Sequence, residues 1–123
     1  SYNANPGSVA AAIDTLLLAP GEHWLVLGDM GELGPQAREL HAGLGELARE
    51  RGVERLFTVG TLAQAAAESF GDKARHFEDQ ATLATALREA VHAGVTCLVK
   101  GSRASAMDRV VDVLKEGGEH HAA

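Results

Sequence analysis

The first six residues, Ser1 to Pro6, contain the most specific group of polar side chains in the chain. Their sequence is Ser-Tyr-Asn-Ala-Asn-Pro, with a phenol at Tyr2 and amides at Asn3 and Asn5. An amide both donates and accepts hydrogen bonds, so this group suits a nucleotide or peptide ligand without adding charge. The alternative is structural, because Asn5 before Pro6 is the pattern of a capped helix N-terminus. That alternative leaves Tyr2 and Asn3 unexplained.

A second polar group, Lys100-Gly101-Ser102-Arg103, follows an apolar run near the end of the chain. The pattern predicts a helix N-terminus here, where backbone N–H groups attract anions, and two cations flank it. The group therefore predicts a site for a carboxylate or a phosphate. The alternative is an ordinary capped helix with Lys100 and Arg103 in solvent.

A glycine-rich segment, Gly28 to Gly34, carries two carboxylates, Asp29 and Glu32. Its glycines are three residues apart, which differs from the G-x-G-x-x-G spacing of dinucleotide-binding turns. Carboxylates repel phosphates, so the segment is not expected to cradle one. They can instead face a metal-bound nucleotide or the ammonium group of an amino-acid substrate. A plain turn between a strand and a helix is the alternative.

Composition and the other reactive side chains argue against several classes of function. A net charge of −6, with the acidic residues spread along the chain, argues against a nucleic-acid surface. No apolar run is long enough to span a membrane, and no secretory signal pattern opens the chain. The six histidines are scattered, so none is assigned as a metal ligand, and there is no GxxxxGK[ST] phosphate-binding loop. Cys97, the single cysteine, lies in an apolar run and is expected in the core. Because one cysteine cannot form an internal disulfide, a reducing cytoplasm is the expected compartment.

Apolar periodicity places these groups among alternating strands and helices. Continuous apolar runs predict buried strands at 24–27, 56–59 and 96–99, and a weaker run predicts a short strand at 74–77. Helical spacing predicts helices after Pro6, over 35–51, after a capping box of Thr61 and Gln64, before Gly94, and around 107–114.

This alternation predicts a single α/β domain over residues 1–118, with a mostly parallel sheet covered by helices on both faces. Residues 119–123 are expected to be a disordered tail. Ligands of such sheets bind beyond the carboxyl ends of the strands. The three polar groups are therefore expected at one edge of the sheet.

Three stretches of the chain together resemble the C-terminal domain of Mur ligases of the MurF type. They are S-Y-N-A-N-P, then V-L-G-D-M-G-E-L-G with a later E-L-H, and L-V-K-G-S-R, in the family's order. The resemblance implies a Rossmann-like domain of a cytoplasmic UDP-N-acetylmuramoyl-tripeptide–D-alanyl-D-alanine ligase of peptidoglycan synthesis. It also implies two partner domains in the same enzyme, an N-terminal one for the UDP-sugar peptide and a central P-loop one for ATP and magnesium. ATP would phosphorylate the tripeptide carboxylate, and the amine of D-alanyl-D-alanine would attack the acyl phosphate.

Carried over by position, the resemblance implies that six residues bind substrate or nucleotide. They are Tyr2, Asn3, Asn5, Lys100, Ser102 and Arg103. The first three would lie at the nucleotide and dipeptide side of the cleft. The last three would bind the incoming dipeptide or stabilise charge at the reacting centre. Asp29 and Glu32 are weaker candidates, because their loop can simply support the site.

The chain departs from the family pattern by beginning at Ser1, without the acidic residues and strand that usually come before it. The carbamylated lysine and magnesium ligands of the family belong to the central domain, so no catalytic residue or metal ligand is expected here. We expect this chain to be inactive alone. The alternative function is a receiver-like signalling module, with Lys100 ending a late strand. A receiver needs a phosphoacceptor aspartate where this chain has Val59-Gly60.

Overall fold

The computed structural model describes residues 5–101 and 119–122, which form four α-helices and five strands. The helices are α1 (Pro6–Leu16), α2 (Ala37–Arg51), α3 (Ala63–Phe70) and α4 (Gln80–Ala90). The strands are β1 (Glu22–Gly28), β2 (Arg55–Val59), β3 (Ala74–Phe77), β4 (Val95–Lys100) and β5 (Glu119–Ala122). A 3-10 turn, Gly34–Gln36, precedes α2. The helix expected around 107–114 lies outside the described residues.

The five strands form one sheet in the order β3-β2-β1-β4-β5, and each neighbouring pair is parallel. The chain moves outward from β1 to β3 and then returns to the other side of β1 to form β4. The strand order therefore reverses between β1 and β4. In open α/β sheets the ligand crevice lies at such a point, outside the carboxyl ends of the strands. The parallel α/β architecture expected from the sequence is confirmed.

Strand β1 lies at the centre of the sheet and is covered on both faces. Successive side chains of a strand point to opposite faces. Leu25 and Leu27 pack with apolar residues of α1, α2 and α3, whereas Trp24 and Val26 pack with Leu83 of α4 and its neighbours. Because both faces are buried, the strand is a continuous apolar run in the sequence and does not alternate with polar residues. None of the helices in the described ranges is long and apolar enough to cross a membrane.

The beginning of α3 differs from the sequence expectation. Thr61 and Gln64 were expected to form a capping box, but α3 begins after Leu62, which makes no side-chain cap bond. The first backbone N–H of the helix, on Ala63, donates to a carboxylate oxygen of Asp29 instead. Asp29, which follows the end of β1, thus caps α3 in place of Thr61.

The end of the chain also differs from the expectation of a disordered tail over 119–123. Residues 119–122 form β5, which pairs with β4 in register from Thr96 with Glu119 to Val99 with Ala122. An edge strand exposes backbone N–H and C=O groups that any extended segment can pair with. Such pairing depends on the backbone, so a short polar segment carries no apolar signal that would predict it.

Candidate functional site

The candidate site lies at the carboxyl edge of the sheet, where the order of strands reverses. Residues 17–21 connect the end of α1 to the start of β1, so α1 runs back against the direction of the strand. The N-terminus of α1, with Asn5, is therefore directed towards the edge where β1 and β4 end. The loop after β1, residues 28–34, and Lys100 at the end of β4 lie at this same edge. The structure thus confirms the common edge for the described parts of the three polar groups.

Asn5 forms a reciprocal cap at the start of α1. Its Oδ1 accepts a hydrogen bond from the backbone N–H of Ser8 at 3.0 Å, and the Ser8 hydroxyl accepts one from the Asn5 N–H at 3.1 Å. The structural interpretation of Asn5 is therefore correct. The cap uses only the carboxamide oxygen, so the side-chain NH₂ is the part of this exposed residue that can donate to a ligand.

Lys100 is a buried cation at the end of the central part of the sheet. It lies beside Leu27 of β1, and the alternation of β4 places it on the same face as Leu98, in the core covered by α1. Its relative exposure is 2%. Burial lowers the pKa of Lys100 below its ordinary value of 10.5, because the charged ammonium loses its hydration. The alternative of a solvated lysine is therefore wrong for this residue.

Asp29 joins the loop after β1 to the loop after β2. Its Oδ1 accepts the hydrogen bond from Ala63 at 2.8 Å. Gly60 lies directly against the same carboxylate, since a Cβ built on Gly60 would be 2.4 Å from that oxygen. Gly60 also has a φ of +106°, which side chains of L-residues rarely adopt. The Asp29 carboxylate therefore supports the edge of the sheet, and its role toward a ligand stays a prediction.

Met30 and His41 hold the first half of this loop, and neither was predicted from the sequence to have a binding role. The Met30 side chain is buried in the core beneath the helices, and its backbone N–H donates to His41 Nε2 at 3.1 Å. Because Nε2 accepts, the ring proton lies on Nδ1, which donates to the Ala37 carbonyl at 2.7 Å. A buried histidine at helical spacing in α2 looks like any core position, so only the E-L-H element of the family resemblance pointed to it.

Glu32 has an unusual backbone conformation in the described residues. Its φ is +60°, and among the described residues no other non-glycine residue has a positive φ. This left-handed conformation costs energy for a residue with a Cβ, and such residues occur often at binding sites. Glu32 is exposed at the same edge as Lys100. The edge therefore carries an exposed carboxylate and a buried ammonium group.

Metal-ligating side chains do not cluster within the part of the chain that the structure describes. Within residues 5–101 no group of three His, Cys, Asp or Glu side chains is placed to hold a metal ion. The loop at 28–34 carries carboxylates, which repel phosphate oxygens. Cys97 is buried within β4, and this burial raises its pKa to about 12, as expected of a core cysteine.

The sequence and the fold of this chain match known proteins. A family model described as Mur ligase, glutamate ligase domain, matches residues 1–103. The chain belongs to this Mur ligase family. Because the chain belongs to this family, the alternative of a receiver-like signalling module is wrong.

The Mur ligase domain is similar to curated bacterial ligases of one specificity. The UDP-N-acetylmuramoyl-tripeptide–D-alanyl-D-alanine ligase of Escherichia coli is 42% identical over 120 residues, which are 96% of this chain and 26% of that protein. The ligase of the same name from Bacillus subtilis is 34% identical over 123 residues, covering 94% of this chain and 27% of the relative. The chain thus spans about a quarter of the length of these relatives.

Solved structures of Mur ligases have the same fold in the corresponding region. A crystal structure of MurF from Acinetobacter baumannii matches with a TM-score of 0.83 and 33% identity, over 94% of this chain and 27% of that one. The MurF ligase of Thermotoga maritima in complex with ADP matches with a TM-score of 0.80 and 28% identity, over the same shares. This likeness extends the agreement from the sequence to the arrangement of strands and helices.

Of the six residues expected to bind substrate or nucleotide in this Mur ligase domain, the structure describes two, Asn5 and Lys100. The other four lie outside the described residues, although they fall within the segment that the family model matches. They are Tyr2, Asn3, Ser102 and Arg103. Their binding roles stay predictions.

Proposed function

We propose that this chain is the C-terminal domain of a ligase that adds D-alanyl-D-alanine to UDP-N-acetylmuramoyl-tripeptide in peptidoglycan precursor synthesis. The observation that carries this proposal is the 42% identity to the Escherichia coli ligase of that name across 96% of the chain. A solved relative holds ADP, which supports ATP as the co-substrate. We include magnesium and a cytoplasmic location in the proposal, as the family resemblance implies.

In the proposed reaction the chain's own part is to bind and orient. ATP supplies the phosphoryl group that turns the tripeptide carboxylate into an acyl phosphate. The amine of D-alanyl-D-alanine then forms the new C–N bond, and the C–O bond to phosphate breaks as inorganic phosphate leaves. We assign the UDP-linked tripeptide to the N-terminal domain and ATP to the central domain, because this sequence contains no GxxxxGK[ST] phosphate-binding loop.

The charges at the carboxyl edge suit a zwitterionic dipeptide. D-alanyl-D-alanine carries an ammonium group at one end and a carboxylate at the other. Glu32 is an exposed anion that can attract the ammonium end, and Lys100 is a cation on the neighbouring strand end. Because Lys100 is buried, solvent screens its charge less than that of a surface lysine. It therefore suits a fixed positive charge that stabilises the dipeptide carboxylate or the negative charge developing at the reacting centre.

The amides of the opening segment suit the other side of the cleft. Asn5 has its oxygen in the helix cap and can offer two N–H donors to a nucleotide or peptide oxygen. We propose the same kind of contact for Tyr2 and Asn3, and anion binding for Ser102 and Arg103. These assignments rest on the family resemblance.

The test is an assay of the complete protein that contains this chain. The purified protein is incubated with UDP-N-acetylmuramoyl-tripeptide, ATP, magnesium and D-alanyl-D-alanine, and the product is identified by mass spectrometry alongside phosphate release. We expect a UDP-linked pentapeptide and one phosphate per product. Parallel reactions replace the dipeptide by D-glutamate, because the family description names a glutamate ligase domain. The 123-residue chain alone should give no product.

Two results would overturn the proposal. Product formation with D-glutamate and none with D-alanyl-D-alanine would assign the chain to a different Mur ligase specificity. Turnover by the isolated chain would show that phosphoryl transfer has been assigned to the wrong domains.

A further inference from the structure

We propose that His41 is a positioning residue for the dipeptide, acting through the loop at residues 28–34. This inference rests on the proposed function, because it gives that loop the task of presenting Glu32 to the ammonium end of D-alanyl-D-alanine. The role is separate from catalysis, since the His41 ring lies in the core and is 0% exposed.

The His41 ring is fully used by two backbone groups. Nε2 accepts from the Met30 N–H at 3.1 Å, and Nδ1 lies 2.7 Å from the Ala37 carbonyl. The Ala37 contact belongs to α2 itself, one turn before His41. The Met30 contact joins α2 to a loop eleven residues earlier in the chain. The ring therefore holds the loop backbone at Met30 in a fixed position relative to α2.

The loop is held at two successive residues before it reaches Glu32. Asp29 is bonded to the first N–H of α3, and Met30 is held by His41 and by burial of its own side chain. Glu32 follows two residues later with a φ of +60°. A left-handed residue relaxes unless the surrounding structure keeps it in place. The anchors at Asp29 and Met30 supply that constraint, and His41 is the one that needs a specific ring nitrogen.

Loss of the ring acceptor has a definite consequence. A phenylalanine at position 41 fills the volume but leaves the buried Met30 N–H without a partner, which is unfavourable. The loop is then expected to move so that this N–H reaches water, and Glu32 moves with it. A glutamine can place its Oε1 near the position of Nε2 and restore the acceptor. Comparing His41→Phe with His41→Gln therefore distinguishes the effect of the side-chain volume from the effect of the hydrogen bond to Met30.

The experiment uses the complete protein and these two variants. Hydrogen–deuterium exchange of the peptide covering residues 28–36 reports the loop, and steady-state kinetics report KM for the dipeptide and for the UDP-linked substrate separately. We expect His41→Phe to speed exchange in this peptide and to raise KM for D-alanyl-D-alanine by about tenfold, with KM for the UDP-linked substrate changed by less than about twofold. His41→Gln should recover most of both effects.

A matched control separates positioning from general destabilisation. Leu44 lies one turn further along α2 and is equally part of the core, but its side chain packs in the hydrophobic interior. Leu44→Ala should lower the melting temperature without changing the ratio of the two KM values. The inference is overturned if His41→Phe leaves loop exchange unchanged, if it raises both KM values equally, or if Leu44→Ala reproduces its kinetic effect. A wild-type protein that does not ligate the dipeptide would overturn the proposed function instead, and loop exchange would still decide whether His41 holds the loop.

Discussion

The carboxylate of Asp29 caps a helix that begins 34 residues later in the chain, through the 2.8 Å hydrogen bond from the Ala63 N–H. A negative charge at a helix N-terminus is favourable, because it faces the positive end of the helix dipole. The contact also joins the ends of β1 and β2 at the edge where the candidate site lies. Asp29 thereby supports this edge of the sheet.

Gly60 is the residue that makes room for this contact, and its replacement tests it. Gly60→Ala places a methyl group against the Asp29 carboxylate and forces a side chain on to a φ of +106°. We expect the variant to lose about 1–3 kcal/mol of unfolding free energy, from backbone strain and the displaced cap together. Urea denaturation of the 123-residue chain measures it, with fluorescence of the single, buried Trp24 as the probe.

A double-mutant cycle isolates the contact between the two residues. Asp29→Ala alone should cost about 1 kcal/mol by removing the cap of α3. In that background Gly60→Ala no longer meets the carboxylate, so its cost should fall to the backbone strain alone. Fully additive costs would mean that Gly60 and Asp29 do not constrain each other.

Local patterns predicted the elements of this fold well and the contacts between them poorly. The run Trp24–Leu27 and the stripe of α2 depend on periodicities of a few residues, and both elements are present where expected. The cap of α3 was assigned to Thr61 because that residue is nearby in sequence, whereas Asp29 reaches Ala63 only after β1 and β2 have paired. Neither Asp29 nor Ala63 has a local sequence pattern that would predict this contact.

In the candidate site, too, the position of the elements could be predicted from the sequence, but the contacts between them could not. The edge shared by Asn5 and Lys100 follows from chain topology, which alternation of strands and helices is enough to predict. Burial of Lys100 depends on α1 covering the end of β4, and the sequence shows only a cation after an apolar run. The φ of Glu32 and the bond from Met30 to His41 likewise arise from tertiary structure.

The crossing of α2 and α3 gives a second prediction, on packing. A Cβ on Gly45 would be 2.1 Å from the Ala66 carbonyl oxygen, so Gly45→Ala must push the two helices apart. We expect it to destabilise the chain by about 1–3 kcal/mol. Gly43, exposed on the same helix, has nothing within 4 Å of its Cβ position. Gly43→Ala should therefore stabilise by about 0.5–1 kcal/mol, because alanine loses less backbone entropy. Effects of the same sign in urea denaturation would contradict this account.

A third prediction concerns the buried charge of Lys100. Lys100→Met keeps much of the side-chain volume and removes the charge. The unfolding free energies of the variant and the wild type are compared at pH 7 and at higher pH. In the complete protein the substitution should lower kcat/KM by about tenfold or more, because the proposed role of the charge is lost. A destabilised variant with normal kcat/KM would assign Lys100 to stability alone.

The pH dependence of this stability difference has a definite sign. Burial lowers the pKa of Lys100 in the folded chain below 10.5, so between that folded pKa and 10.5 the unfolded chain binds more protons. Stability of the wild type therefore rises with pH across this window, as the cost of burying the charge disappears. Lys100→Met lacks this titration. The unfolding free energy of the variant minus that of the wild type should therefore fall as the pH approaches 10.5, and a difference that rises would contradict the burial argument.

The last prediction separates the two roles of Asn5, helix cap and ligand donor. Asn5→Ser keeps an oxygen that can accept from the Ser8 N–H, so it should change unfolding free energy by only a few tenths of a kcal/mol. It removes both side-chain N–H donors, so kcat/KM of the complete protein should fall if a ligand uses them. Asn5→Ala removes cap and donors together and should lose about 1 kcal/mol of stability as well. The comparison is decisive because both variants lack the donors but only alanine lacks the cap. If Asn5→Ser keeps full kcat/KM while Asn5→Ala is less stable, Asn5 is a helix cap and contributes nothing to the ligand.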